Sequence, residues 1–334
     1  MNLQSRIKAF TKLGEYLKNE IYNDIVEDLR IAEIHNPWFT NSNIIFALES
    51  WHEQLKEDML IAWLSPYKIK EVKSKKRILL VMAGNIPLVG FHDFLTVLVL
   101  GHSVVIKMSS VDNVLLKFII KKLIIIEPEF ANSIFFVDEV KDNKYDGVIA
   151  TGSDNSSRYF EYYFKDAKKI IRKNRRSVAI LDGDESEAEL KGLADDVFLY
   201  FGLGCRSVSK IFLPNGYNID KLFNAFYFFN KIIEHTKYAN NYDYHKAVFL
   251  MGSHKLLDNG FLLMKEDTSL FSPVAMLYYE FYDDIHTMEE FIKKNNDKLQ
   301  CVVSKLRVPF GAAQKPNLWD YADGIDTIEF LRGL

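Results

Sequence analysis

Cys205 stands in the segment Phe201-Gly202-Leu203-Gly204-Cys205-Arg206-Ser207. Two glycines just before a thiol permit an unusual backbone turn and let a ligand come close. The thiolate is the nucleophile, and Arg206 with the nearby cations Arg172, Lys173, Arg175 and Arg176 favours it over the thiol. The chemistry this allows is covalent attack on a carbonyl. A buried, inert cysteine is the competing explanation, since free thiols are among the most buried side chains. Cys301, inside the apolar run Leu299–Val303, fits that second description better.

Three further segments carry polar groups where strands give way to loops. Gly84-Asn85-Ile86-Pro87 follows one apolar run, and an Asn85 amide there suits a developing oxyanion. It suits a plain turn equally well, with Pro87 fixing it. Val104-Val105-Ile106-Lys107-Met108-Ser109-Ser110 ends a strand in a cation and two hydroxyls, a pattern for a ribose or phosphate. Ile149-Ala150-Thr151-Gly152-Ser153 runs from a strand into a helix, where backbone N–H groups and hydroxyls match a pyrophosphate. An ordinary helix cap would use the same residues.

The elements that must position these groups alternate. Residues 1–64 read as helices, with Leu13, Tyr16, Leu17, Ile21, Ile25 and Leu29 at helical steps and Asn43 as a cap. From residue 77 strands near 77–83, 104–107, 133–137, 147–150 and 178–181 alternate with helices near 91–100, 114–126, 155–164 and 187–201, Asp112 capping the second. That pattern predicts an α/β fold with a parallel sheet covered on both faces. Ligands of such sheets sit beyond the carboxyl ends of the strands. Further strands are read at 210–213, 247–251, 274–279 and 299–304, and helices near 219–233 and 286–295. A break is placed near residue 203: helices and a nucleotide-binding domain in 1–203, a catalytic domain in 204–312, and a tail of 313–334 packing back or on a partner.

The chain has 334 residues, enough for two domains, with 48% hydrophobic and 26% charged residues. A net charge of −3 gives no nucleic-acid footprint. Two cysteines exclude a disulfide framework and point to a reducing compartment. No segment reads as a signal peptide or a membrane span, so a cytoplasmic protein without stable membrane insertion is expected.

Taken in order, the segments resemble the aldehyde dehydrogenase superfamily, and within it the acyl-CoA reductases that include the fatty acid reductase of bacterial bioluminescence. Asn85, Lys107-Met108-Ser109, Thr151-Gly152-Ser153 and Cys205 follow the family order, as do Leu270-Phe271-Ser272-Pro273 and Pro309-Phe310-Gly311-Ala312. The resemblance runs from about residue 77 to 334. It implies an aldehyde-dehydrogenase-like fold with a Rossmann-type cofactor domain and a smaller α/β catalytic domain. It also implies Cys205 as nucleophile and Asn85 as oxyanion donor. Lys107, Ser109, Ser110, Thr151, Gly152, Ser153 and Phe271 become cofactor residues, metal is not required, and a homo-oligomer is expected.

The departures refine the expectation. Aligning Arg176-Ser177 on the family's Lys-Ser puts Arg172 where acid-forming relatives carry the Glu that activates water. A cation cannot be that base, so acyl exchange with a thiol is favoured over hydrolysis. Ser110 stands where NAD users hold the ribose with Glu, which leaves room for a 2′-phosphate and favours NADPH over NADH. Ser269 replaces a third Glu, with Glu266 or Asp267 as substitutes. The expected reaction is NADPH-dependent reduction of an acyl-CoA or acyl-protein thioester to an aldehyde. Arg172, Lys173 or Arg206 would meet CoA phosphates.

The alternatives are an NAD(P)-dependent aldehyde or semialdehyde dehydrogenase, an acyl phosphate reductase, a non-catalytic binding subunit of the same descent, and a cysteine hydrolase pairing Cys205 with a histidine. His235, His245 and His254 are proton-transfer candidates, though capping or surface roles explain them as well. The aromatic clusters at 159–164 and 226–229 have the spacing of core faces.

Overall fold

The computed structural model describes residues 1–19, 24–71, 74–140, 145–152 and 154–334. Ile21 and Ser153 lie outside the described residues. The chain divides into two compact units, residues 1–174 with 317–334, and residues 175–316. The division falls upstream of the break placed near residue 203, because the strand and helix that follow residue 175 belong to the second sheet.

The first unit opens with helices α1 (Leu3–Asn19), α2 (Val26–His35), α3 (Asn41–Gln54) and α4 (Glu57–Leu64). Phe10, Leu13 and Leu17 recur at three- and four-residue steps on α1 and are buried. The cap of α3 is Thr40, whose side chain accepts from the Asn43 N–H. Asn43, expected as the cap, is buried inside the helix. The sheet is built from β1 (Arg77–Val81), β2 (Ser103–Lys107), β3 (Ile134–Phe136), β4 (Gly147–Thr151) and β5 (Lys169–Arg172). Helices α5 (Phe91–Val99), α6 (Leu115–Ile126) and α7 (Asp154–Tyr163) connect them.

All five strands are parallel, in the order β3-β2-β1-β4-β5. Alternate residues go to opposite faces. Ile78, Leu80, Val104 and Ile106 join the cluster that holds Phe94 and Leu98 of α5. Leu79, Val105, Val148 and Ala150 join Phe164 on the other face. Burial on both faces is why these strands read as unbroken apolar runs. The sheet order reverses between β1 and β4, and that switch point is where such folds bind ligands.

The second unit holds β6 (Arg176–Ile180), α8 (Glu187–Phe198), β7 (Val208–Pro214), α9 (Asp220–Phe226), α10 (Thr236–Met251), β8 (Leu257–Asp258), β9 (Leu263–Glu266), β10 (Met276–Tyr282), α11 (Ile285–Lys294) and β11 (Leu299–Val303). Its sheet runs β11-β6-β7-β10-β9-β8, antiparallel only between β8 and β9. Residues 247–251, expected as a strand, form the last turn of α10. Five apolar residues do not distinguish the two by periodicity alone. Val248, Leu250 and Met251 are exposed, which a buried parallel strand would not allow. The helix expected over 219–233 breaks after Phe226 into a 3-10 stretch. The segment 317–334 ends in α12 (Thr327–Arg332) and belongs to the first unit.

Candidate active site

In the first unit, the loops after β1, β2 and β4 carry the residues singled out from the sequence. Val81, the last residue of β1, pairs with Lys107 on one side and Ala150 on the other. Asn85, exposed, and the half-buried Lys107, Ser109 and Thr151 therefore stand at one end of the sheet, with Ser110 exposed beside them. The turn at Gly84 is packed so closely that a Cβ there would lie 2.6 Å from Ser109 Oγ and 2.9 Å from Val111 Cγ2. Gly152 likewise leaves no space for a Cβ against Ser156, at 2.8 Å. Both glycines let loop and helix close on the strand ends.

Two residues that pattern reading did not single out for this loop hold it in place. Asn36, buried, donates from Nδ2 to the Gly84 carbonyl at 3.0 Å. Asp112, expected as a cap of α6, sits buried ahead of Val114 and Leu115. Burial pushes its carboxyl up to about 6, opposed by the N–H groups of Leu88, Leu115 and Val114. Leu88 itself adopts a left-handed φ of 56°. One carboxyl thus ties the turn after β1 to the start of α6.

Arg172 has a different place from the one expected. It is 4% exposed, at the end of β5. Its Nη2 donates to Asp93 Oδ1 at 2.5 Å and to Thr327 Oγ1 at 3.2 Å, and its Nη1 to the Ala322 carbonyl at 2.7 Å. The side chain binds α5 to the C-terminal segment inside the first unit, so it is spent on structure and not presented to a CoA phosphate.

In the second unit, the backbone before Cys205 is strained. Tyr200 and Phe201 are left-handed, with φ of 53° and 57°, and Gly202 follows at 73°. Bulky residues rarely hold that conformation, at a cost of about 1–3 kcal/mol each, and such strain clusters at functional sites. Of the two glycines before the thiol, Gly202 is the one whose conformation needs glycine. Cys205 itself is half-buried.

The Cys205 loop is anchored by polar contacts. Ser177 Oγ donates to the Cys205 carbonyl at 3.0 Å. The same oxygen accepts from the Cys301 N–H at 3.2 Å and lies 3.0 Å from Cys301 Sγ. A hydroxyl has one proton to give. With that proton on the Cys205 carbonyl, the Cys301 thiol is the donor to Ser177. Burial raises the Cys301 thiol, opposed by the Arg206 charge, which suits a neutral S–H. Burial lowers the Arg176 guanidinium, opposed by the Cys205 sulfur.

The Pro309-Phe310-Gly311-Ala312 segment is fixed by Asp196 of α8, which accepts from Gly311 N at 2.7 Å and Ala313 N at 2.9 Å. Phe271 is 42% exposed, with its N–H donating to Ser269 Oγ. The histidines have ordinary duties: His235 caps α10 by accepting from Tyr238 N, and its ring lies against Phe201. Burial lowers His245, and His254 packs on Phe249. Among the described residues, no group of three or more His, Cys, Asp or Glu is placed to hold a metal ion, and no helix is long and apolar enough to cross a membrane.

Comparison with solved structures gives the class. Aldehyde dehydrogenase 21 from Physcomitrella patens, solved with its reaction product succinate, is 15% identical over 91% of this chain and 74% of its own, with a TM-score of 0.65. An aldehyde dehydrogenase from Bacillus cereus in complex with NAD+ gives 13% identity over 91% and 72%, with a TM-score of 0.61. A mutant of aldehyde dehydrogenase C from Pseudomonas syringae with NAD+ and octanal gives 12% over 86% and 69%, also with a TM-score of 0.61. The fold is that of the aldehyde dehydrogenases.

The family follows from the sequence. Residues 45–224 match the model of the acyl-CoA reductase (LuxC) family, and the chain belongs to it. It is an oxidoreductase acting on aldehyde or acyl groups. No curated protein matches the sequence.

Proposed function

We propose that the protein reduces an acyl thioester, carried on CoA or on a protein, to the aldehyde through a covalent acyl group on Cys205. The observation that carries this reading is the Cys205 loop. Strained backbone precedes the thiol, Ser177 fixes its carbonyl, and the Arg206 charge follows it in sequence. A cation beside a half-exposed thiol favours the thiolate.

The Cys205 thiolate attacks the acyl carbonyl, and the carbonyl electron pair moves to oxygen. The backbone N–H of Cys205 stabilises that oxygen, and the Asn85 amide is the second donor assigned to it. Collapse expels the thiol of the carrier and leaves an acyl thioester on the enzyme. NADPH, when bound, would supply the hydride to the acyl carbon, and expulsion of the Cys205 thiolate then releases the aldehyde and restores the nucleophile.

The polar groups at the ends of β1, β2 and β4 fit a nicotinamide nucleotide. They flank the point where the strand order reverses, and Gly84 and Gly152 bring backbone close to it. Lys107, Ser109, Ser110, Thr151 and Gly152 would hold the nucleotide in the first unit, with Ser153 next to them in sequence, and Phe271 is assigned to it in the second. Ser110 leaves room for a 2′-phosphate where a carboxylate would repel it. Arg172 cannot activate water, so the acyl group waits for reduction and is not hydrolysed.

The test is a turnover assay. Protein mixed with a fatty acyl-CoA and NADPH is expected to lose nicotinamide absorbance and to accumulate aldehyde, and Cys205→Ala to abolish both. Wild-type-like turnover by Cys205→Ala would end the proposal. Running the reverse reaction with CoA, phosphate and water as acceptors separates a thioester enzyme from an acyl phosphate reductase or an acid-forming dehydrogenase.

A further inference from the structure

We propose a second ligand site in the first unit, at the end of its sheet opposite the Asn85, Lys107 and Thr151 loops, that binds a small amphipathic oxyanion. The residues just before three neighbouring parallel strands meet there: Lys75 before β1, His102 before β2 and Ser133 before β3. With Arg6 of α1 they line one cavity of about 370 Å³, at the lower end of the range for small-ligand pockets. Leu98 and Phe130 give the same cavity an apolar side.

Arg6 is the strongest observation. It is 4% exposed, and its only ion pair among the described residues is a long one. Its Nε donates to the Val99 carbonyl at 2.8 Å and its Nη1 to the Met1 carbonyl at 2.5 Å. Its Nη2 has no hydrogen-bond partner among the described residues. Its ion-pair partner is Glu71, 3.8 Å from Nη1, largely exposed and, like Glu129, on the cavity wall. The guanidinium rests on Gly101, where a Cβ would come within 3.0 Å of its Cζ and where φ is 89°. A buried guanidinium with an unspent donor is costly, and its attraction for an anion is correspondingly strong.

The other groups are donors as well. His102 Nδ1 accepts from the Lys76 N–H at 3.3 Å, which leaves the ring proton on Nε2. Burial, with the Arg6 and Lys76 charges, pushes His102 down to about 4, so near neutral pH the ring is uncharged and Nε2–H remains a donor. Lys75 Nζ donates to Ser133 Oγ at 3.0 Å, and the Ser133 proton stays available. Glu129, also on the cavity wall, is engaged by the Met1 ammonium at 3.1 Å. A guanidinium, an ammonium, an imidazole N–H and a hydroxyl together suit a carboxylate or phosphate head. The volume beyond the head, beside Leu98 and Phe130, suits an apolar body of a few carbons.

Titration calorimetry of the whole chain with hexanoate, and separately with inorganic phosphate, tests this. Hexanoate is expected to bind saturably and more tightly than phosphate, with the same affinity when NADPH is present. Lys75→Ala is expected to weaken binding about tenfold, as is His102→Phe, with melting temperature reporting that both variants are folded. Lys75 is exposed, so its removal leaves the fold intact. No saturable heat up to about 10 mM hexanoate overturns the proposal. Displacement by NADPH does so too, as do equal affinities for hexanoate and phosphate, or binding unchanged in both variants.

Discussion

The hydroxyl of Ser177 donates to the backbone carbonyl of Cys205 across 3.0 Å, and it joins β6 to the loop that carries the thiol. Ser177 is fully buried, so this bond is made without competition from water. Its replacement by Ala frees the Cys205 carbonyl and leaves the Cys301 N–H and S–H without their acceptor. A buried hydrogen bond is worth about 0.5–1.5 kcal/mol net, and unsatisfied partners add to the loss. Ser177→Ala is therefore expected to lower kcat roughly tenfold. It is also expected to alter the pH profile of Cys205 alkylation by iodoacetamide, which simple loss of stability would not move. An unchanged alkylation profile and kcat would separate Ser177 from the nucleophile.

The ends of the strands were legible because buried parallel strands are short apolar runs and their polar termini stand out. Lys107 and Thr151 fell at strand ends for that reason. What escaped was long-range. Ser177 meets residues 28 and 124 positions away, and Asp196 reaches 115 positions to Gly311. No local pattern marks such partners. The short strand β5 has only two apolar residues between Lys169 and Arg172, too little periodicity to register. Arg172 was expected to meet a CoA phosphate because its run is basic, and its burial and pairing with Asp93 show it engaged inside the first unit.

That pairing makes a prediction about stability. Asp93 is the carboxylate against the buried Arg172 guanidinium, and its removal leaves a charge stranded in the core of the first unit. Breaking one half of a buried pair costs about 3–5 kcal/mol, whereas replacing both halves with apolar groups is often neutral. Asp93→Leu is expected to lower the melting temperature sharply. Asp93→Leu with Arg172→Met is expected to recover most of the loss. Equal melting temperatures for the wild type and Asp93→Leu would contradict the pairing.

Gly84 tests the nucleotide loops. A methyl group there meets Ser109 Oγ at 2.6 Å, Ser109 Cβ at 2.9 Å and Val111 Cγ2 at 2.9 Å, so the loops after β1 and β2 have to move apart. Displacement of Asn85 and Ser109 by even a fraction of an ångström weakens a shared ligand more than it weakens the fold. Gly84→Ala is expected to raise the Kd for NADPH roughly tenfold, about 1.4 kcal/mol, while leaving far-ultraviolet dichroism unchanged. Fluorescence titration of bound NADPH measures it, and an unaltered Kd would place the nucleotide elsewhere.

Asp196 gives the protein a pH dependence whose sign is fixed by burial. Its carboxyl is fully buried, and desolvation pushes it up to about 7, opposed by the N–H groups of Gly311 and Ala313. The folded state therefore holds a proton more tightly than the unfolded chain, where an aspartate titrates near 3.9. Below that lower value both states are protonated and the folded form keeps its full advantage. As pH rises from about 4 to about 7 the unfolded state ionises first, and stability is lost. Each unit of displacement is worth about 1.4 kcal/mol. Asp196→Asn cannot titrate, so the melting temperature of the wild type relative to this variant is expected to fall across that interval and to level off above it. Melting curves at half-unit steps from pH 4 to 8.5 measure the difference. A constant offset, or one that grows with pH, would mean that Asp196 is already ionised in the folded protein at the acid end of the range.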